Sequence, residues 1–406
     1  MNIQELNATC ERLYHRLEED GYSAAVISTN KWILGHFQKY CAHRGLEEIG
    51  VADAARFLKE QYDIDYRSVS CAQQTVLRRP LLILFEFHAT GNYCKTHQRG
   101  STTEIPQVYS GLYLRHHDFV NRQRLCLRTK QVKIWVFTLY LSHLAEKGII
   151  EPSQWRLSHV HEYMATLGKF AFETRRRFAS ALREALDWLH GEHVIDFSGR
   201  QAFPLIRKAP NNRILSYYTQ DEIDRMFAAI DTGSPTGRRD MLIVSLAAVL
   251  GLRAGDIISL RFENIDWGNN AISIVQRKTG RPLTLPLVDA VKMPLIDYLK
   301  NGRHESRDND YVLVTTCAPY TRYLGTAPLC DAITRCMDRA GINIDGRHHG
   351  PHALRHSLAT NLMRNNAPIS AISNVLGHAS TRTTELYLTV DESNLQKLAL
   401  EVPDEE

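Results

Sequence analysis

Apolar positions recur at helical spacing through the first half of the chain. Ile33, Leu34, Phe37 and Tyr40 form one stripe, Ala55, Phe57 and Leu58 a second, and Leu81, Leu82, Leu84 and Phe85 a third. Intervals of three and four residues put such side chains on one face of a helix, against a core. A polar stretch with Gly100, Ser101, Thr102, Thr103 and Pro106 interrupts the pattern, which resumes from about Gly111 to Ile195. It breaks again around Gly199, Pro204 and Pro210, residues that punctuate regular structure. Beyond Arg213 the period changes. Thr219 and Glu222 form a capping box, and the apolar run Met241–Leu250 follows; the box satisfies free amides at a helix start. Ala271–Val275 and Leu283–Leu287 are strand-like runs flanking Lys278-Thr279-Gly280-Arg281, a hairpin signal. Asp289 is placed to cap a helix ending near Tyr298, and Tyr311–Thr315 is a third extended run. The remainder is helical, with Pro351 and Pro368 at first helical positions. The pattern predicts a mainly α chain with a small antiparallel sheet. An N-terminal helical domain (1–97) and a linker (98–110) lead to a second helical domain (111–196). A further linker (197–212) precedes an α+β domain (213–406).

The two helical domains resemble a duplication. Thr29-Asn30-Lys31 leads into a helix bearing Phe37, as Arg128-Thr129-Lys130 leads into one bearing Phe137. Breaks at Gly45 and Gly148 follow, then short helices with Phe57 and Tyr163, arginine clusters (Arg78-Arg79; Arg175 to Arg177), and apolar closing helices.

Composition narrows the class. The 406 residues are 44% hydrophobic and 23% charged, which describes a globular protein rather than a disordered one. The net charge of +4 permits nucleic-acid binding without requiring it, so local basic runs carry more weight. They cluster in the second domain: Arg115, Arg122, Arg124, Arg128, Lys130 and Lys133, then Arg175, Arg176 and Arg177. The eight cysteines form no Cys-x-x-Cys pair and read as reduced thiols. No signal peptide is evident, and the longest apolar run, Met241–Leu252, is too short to span a bilayer. The expectation is a cytoplasmic protein without a membrane partner.

The chemistry-bearing residues gather in the third domain. Arg253 follows a glycine at the end of an apolar helix, with Asp256 three residues on to hold its guanidinium. Lys278 sits at the hairpin tip between Arg277 and Arg281, within reach of a phosphate or a leaving oxygen. His352 and Arg355 share a helix; His378 follows Leu376-Gly377; Tyr387 follows Thr383-Thr384. Arginine clamps phosphate in a bidentate manner, and a phenol needs a base and a cationic cradle to attack a phosphodiester. Each residue alone has a plainer reading: a surface ion pair, a solvated turn lysine, one helical tyrosine among seventeen. His352 and His356, beside His348 and His349, also have the spacing of a helical zinc site. Arg355 between them would repel a cation, and no complete ligand set stands out, so no metal is expected.

In order and separation these residues resemble the tyrosine recombinase family, the phage-integrase and Xer-like group. The matching positions are Arg253 in Gly-Leu-Arg, Lys278 in Lys-Thr-Gly-Arg-Pro, His352 and Arg355 in His-x-Leu-Arg, His378 in Leu-Gly-His, and Tyr387 in Thr-Thr-x-x-Tyr. The resemblance covers about Arg213 to Val390. Asp256 stands where many members have Glu, and Thr389 where a histidine is frequent.

The resemblance implies helical, SAM-like DNA-binding bundles before an α+β catalytic domain. Tyr387 would become joined to DNA through a 3′-phosphotyrosyl bond, with Arg253 and Arg355 on the phosphate oxygens. Lys278 would act on the leaving oxygen, His352 as base, and His378 as a further hydrogen-bond donor. It implies double-stranded DNA as partner, a dimer on each site and a tetramer at a Holliday junction, accessory proteins in some systems, and a nucleoid location. The basic residues of the second domain, with Arg277 and Arg281, are then DNA-contact candidates. The first domain would bind further DNA or a neighbouring subunit, and the tail from Asp391 would pack on a neighbour. The resemblance implies no cofactor. A mobile-element integrase or transposase is the leading reading. A type IB topoisomerase and a catalytically silent DNA-binding accessory protein are the alternatives.

Overall fold

The computed structural model describes residues 1–66, 72–93, 105–203, 217–306 and 308–377. They belong to two compact units, one comprising Met1–Tyr93 with Asn212–Glu406 and the other Cys94–Asn211. Separate apolar cores form within the first helical region, the second, and the third.

The first region is four helices: α1 (Ile3–Glu19), α2 (Ala24–His43), α3 (Val51–Tyr62) and α4 (Ala72–Thr90). Asn2 caps α1 by accepting the Glu5 amide, and Glu5 returns the bond to Asn2. Leu6, Leu13, Leu17, Ile33, Leu34, Phe37, Phe57, Leu81 and Leu84 fill the core. The second region repeats this plan with α5 (Ser110–Arg122), α6 (Leu127–Glu146), α7 (Leu157–Thr166) and α8 (Phe172–Gly191), then a short α9 (Gly199–Ala202). Its core reaches beyond the expected limits of the domain: Tyr109 at one end and Phe197, Ala202 and Phe203 at the other are buried in it. Parts of both expected linkers therefore serve as core, because their aromatic residues have apolar surface to bury.

The duplication is visible in the structure, in a different register from the one the sequence suggests. Leu6, Leu13 and Leu17 correspond in burial to Tyr109, His116 and Val120, and Ile33, Leu34, Phe37 and Cys41 to Val136, Phe137, Tyr140 and Leu144. Trp32 then matches Trp135, and Gly45 matches Gly148. Helices α2 and α6 are both 20 residues long. Each closes the same way, with Leu46 N–H donating to Cys41 O and Ile149 N–H to Leu144 O. Pairing Phe37 with Phe137 misplaces the register by three residues. Such a shift is nearly one helical turn and leaves the apolar stripe on almost the same face.

The third region contains α10 (Gln220–Ala228), α11 (Pro235–Ala248), α12 (Ala254–Ile258), the strands β1 (Ile265–Asp266), β2 (Ala271–Val275) and β3 (Pro282–Pro286), and helices α13 (Asp289–Asp297), α14 (Ala327–Arg339), α15 (Pro351–Arg364) and α16 (Ile369–Leu376). Helix α11 is buried almost all round, and α10, α13, α14 and α15 pack against it. The sheet is antiparallel in the order β1-β2-β3, with Ile272 opposite Leu285 and Ile274 opposite Leu283. These four are buried while Ser273, Val275 and Thr284 face out, the alternation of a half-covered sheet. The expected extended run at Tyr311–Thr315 makes only isolated bridges, to Arg261 and Arg322; the third strand is Ile265–Asp266. Val288, not Asp289, is the N-cap of α13, and Pro368 caps α16 from outside while Pro351 opens α15. Among the described residues no helix is long and apolar enough to cross a membrane.

The capping box at Thr219 does more than start α10. Glu222 accepts the Thr219 amide at 2.9 Å and also the Arg347 guanidinium, at 2.6 and 3.0 Å. Arg347 lies 3.9 Å over the ring of Tyr218, whose hydroxyl donates to His348 O. The chain entering α15 is thereby fixed to the start of α10. The Arg347 bonds hold the Glu222 carboxyl below its ordinary 4.5. A depressed folded-state value stabilises the fold above pH 4.5, and the contribution is lost as pH falls through the lowered value. Glu222→Gln should therefore melt below the native protein at pH 7, with the gap closing on acidification below 4.5. A gap independent of pH in thermal denaturation would overturn that account.

Candidate active site

Four of the six proposed catalytic residues lie within the described structure, and three different elements present them. Gly251 follows α11 with φ 60°, and a Cβ there would stand 2.9 Å from methyl groups of Leu358 and Leu376. Both backbone and packing call for glycine. The turn delivers Arg253 as the N-cap residue of α12. Its Nη1 is enclosed and has no partner among the described residues, a donor placed for an acceptor that the protein does not itself supply.

Arg355, on the second turn of α15, is 2% exposed. Its Nη1 donates to Gly251 O at 2.5 Å and its Nη2 to Leu376 O. One guanidinium thus joins the turn before Arg253 to the end of α16, where the chain leads through Gly377 towards His378. A fork of fixed donors makes such a bridge where a lysine cannot.

Lys278 is exposed at the tip between β2 and β3, as expected. Asp256 departs from its expected role. It is 4% exposed, and its Oδ1 accepts the Arg277 amide at 2.9 Å. No ion pair joins it to Arg253 among the described residues; its Oδ2 and Arg253 Nη1 are both without partners there. The amide leaving β2 has no strand partner, so it draws the nearby carboxylate. Asp256 therefore ties the hairpin tip to the helix that carries Arg253.

His352, on the first turn of α15, is exposed at the rim. Its Nε2 lies 2.9 Å from His356 Nε2, with the rings edge to face. The zinc-like spacing thus produces an imidazole pair, and the described residues contain no group of three or more His, Cys, Asp or Glu arranged for a metal ion. Partial loss of hydration pushes the His352 pKa below 6.5, and the charges of Arg355, Lys278, Arg253 and His348 push it further in the same direction. Residues from three elements thus act on one imidazole, favouring its neutral, proton-accepting form. His378, Tyr387, Thr389 and the tail lie outside the described residues.

Residues 216–394 match the model of the phage integrase family. The integrase/recombinase y4gC of Sinorhizobium fredii is 35% identical over 46% of this chain and 96% of its own length. The chain belongs to the phage integrase family. A second relative from that organism, y4rA, described like the first as a putative integrase/recombinase, is 27% identical over 96% of this chain and 92% of its own length. The family's tyrosine recombinase fold is found in the structure of a lambda integrase (75–356) dimer bound to a COC′ core site. That structure matches with a TM-score of 0.53 and 18% identity, over 68% of this chain and 94% of its own.

The DNA-contact candidates of this family member separate into groups. Arg128, Lys133, Arg176 and Arg177, distant in sequence, line one cleft of about 340 Å³ between α6 and α8. Lys133 also pairs with Glu184 at 2.6 Å and Arg176 with Glu173 at 2.6 Å. Arg115 pairs with Glu192 and Arg122 with Asp118. Lys130 donates to Asn121 O, Arg124 is exposed, and Arg175 Nε is enclosed without a partner among the described residues. Exposed pairs of this kind hold weakly, ~0–1 kcal/mol, and a phosphate can replace them. Arg277 turns into a separate cleft with Arg261 and Arg322 around Tyr311, while Arg281 is exposed. The corresponding groove of the first bundle differs. Ala25, Val26 and Asn30 stand on α2 where α6 has Arg128, Thr129 and Lys133, and Val76, Arg79 and Pro80 face them from α4. The duplicated fold persists, but this groove is mainly apolar, with Arg79 as the cation in its lining.

Two outcomes follow for the isolated chain. In an NMR titration the His352 imidazole should change charge below pH 6.5, and Arg253→Ala should move that midpoint upward; an unshifted midpoint would separate the two residues. Arg355→Ala strips the Gly251 and Leu376 carbonyls of a buried donor and should cost about 1–3 kcal/mol in urea unfolding.

Proposed function

We propose that this chain is a site-specific recombinase of a mobile element, cutting and rejoining double-stranded DNA through a covalent bond to Tyr387. The observation that carries the reading is the shared frame: Arg355 grips the turn that leads to Arg253, and Asp256 ties α12 to the tip that carries Lys278, in a chain of the phage integrase family.

The Tyr387 oxygen attacks the scissile phosphorus as its proton passes to His352, acting as general base. Arg253 and Arg355 neutralise the non-bridging oxygens as charge builds on them, with His378 donating a further hydrogen bond. The bond to the 5′-oxygen breaks, and Lys278 protonates that oxygen as it leaves. The resulting 3′-phosphotyrosyl ester retains the energy of the broken bond, so the 5′-hydroxyl of a partner strand reverses the step and releases Tyr387. Two such exchanges pass through a Holliday junction. A dimer on each site and a tetramer in synapsis supply the four tyrosines, assisted by accessory proteins where the site requires them, on the nucleoid in the cytoplasm. The cationic α6–α8 cleft grips phosphates and sets the position of the protein without reading sequence. The groove of the first bundle carries Arg79 where the α6–α8 cleft gathers four cations, which argues against a second grip of equal strength.

A nicked suicide substrate carrying the end of the element tests the chemistry. The native chain should form a covalent protein–DNA adduct, and Tyr387→Phe should form none. An adduct that survives the change removes Tyr387 as nucleophile. For the cleft, Arg128→Ala with Arg177→Ala should weaken binding on every sequence alike. The salt dependence should flatten by about 0.9 in slope for each phosphate no longer neutralised. An unchanged slope would place the DNA elsewhere.

A further inference from the structure

Gln276 takes no part in the proposed chemistry, yet it is 1% exposed directly beneath the hairpin tip. Its backbone closes the tip: the amide donates to Arg281 O at 2.9 Å, and the carbonyl accepts from Gly280 N at 2.8 Å and Thr279 N at 3.3 Å. Its side chain works in two directions. Oε1 accepts the Thr279 hydroxyl at 2.8 Å, and Nε2 donates to Leu376 O at 3.3 Å. A carbonyl can only accept, so the amide orientation is fixed by this bond. Leu376 O is the same acceptor that Arg355 grips. Gly377, next along, is in the left-handed region at φ 58°, and a Cβ there would stand 2.4 Å from Gln276 Nε2. The close approach of the two segments thus depends on a glycine on one side and an amide on the other.

We propose that Gln276 is a positioning residue, latching the tip that carries Lys278 to the chain that enters His378, so that the leaving-oxygen donor and the C-terminal half of the site are held as one body. The role rests on the recombinase reading for its consequence but not for its geometry. With Asp256 holding the Arg277 amide and Gln276 the Thr279 hydroxyl, the tip is tied on both sides of Lys278, which is itself exposed.

The test uses the full chain and two readouts. In hydrogen exchange without DNA, corrected for intrinsic rates, Gln276→Leu should raise exchange at Thr279, Gly280 and Gly377 together, by about tenfold or more for the removal of one buried hydrogen bond. Gln276→Glu keeps the shape but turns an oxygen towards Leu376 O at pH 8. It should show the same coupled loosening there and regain protection as acid protonates the carboxyl into a donor. Loosening confined to the tip, or a Glu variant indifferent to pH, would overturn the latch. On a nicked DNA substrate, both variants should slow adduct formation about tenfold at pH 8 with unchanged DNA affinity, and Gln276→Glu should recover relative to the native chain at lower pH. Adduct formation unaffected despite coupled loosening would also overturn it. If the native chain forms no adduct while exchange behaves as stated, the reaction is misassigned and the latch remains.

Discussion

The arrangement of the site depends on one buried guanidinium. Arg355 stands in the core of the third region and places its donors on the carbonyls of Gly251 and Leu376. Burying such a charge is tolerable only when its donors are satisfied, so the two chain segments must stay where the fork reaches them. One leads to Arg253 two residues later; the other leads to His378. A residue expected to bind phosphate therefore also holds together the backbone on which its fellow residues are carried.

Smaller contacts extend this frame. Asp256 brings the hairpin to α12 through the Arg277 amide, and Gln276 brings it to α16. Glu222, Arg347 and Tyr218 fix the approach to α15. Each uses a polar side chain on a backbone group or a cation from far along the sequence. The partial burial that lowers the His352 pKa, and the cations that lower it further, are products of this convergence.

The helical bundles show how one scaffold can carry two surfaces. Their cores share a set of buried positions, Leu6, Leu13, Leu17, Ile33, Leu34, Phe37 and Cys41 in one and Tyr109, His116, Val120, Val136, Phe137, Tyr140 and Leu144 in the other. Their grooves do not: one gathers three arginines and a lysine, the other sets Arg79 among Ala25, Val26, Val76 and Pro80. Core positions are constrained by packing, whereas groove positions are free to change with the partner.

Much of this was legible in the residues. Helical stripes located the bundles because burial imposes a 3.6-residue period, and the hairpin was marked by alternation around Lys278-Thr279-Gly280-Arg281. Arg253, Lys278, His352 and Arg355 were nameable because their spacing resembled a family in which each has a chemical part. The partners of Asp256 and the importance of Gln276 were not legible. Nothing local distinguishes a carboxylate that meets a guanidinium three residues away from one that meets an amide across the fold, and a glutamine near a turn resembles any solvated polar residue. The three-residue error in the repeat register has the same origin, since a helix nearly returns to its own face after one turn. The sequence by itself determined the elements, the repeated bundles and the candidates for the reactive groups, because these follow from periodicity, side-chain chemistry and a family's spacing. Only the tertiary structure decided which carbonyls Arg355 grips, which linker residues become core, and how Lys278 is anchored, because those depend on distances between segments far apart in the chain.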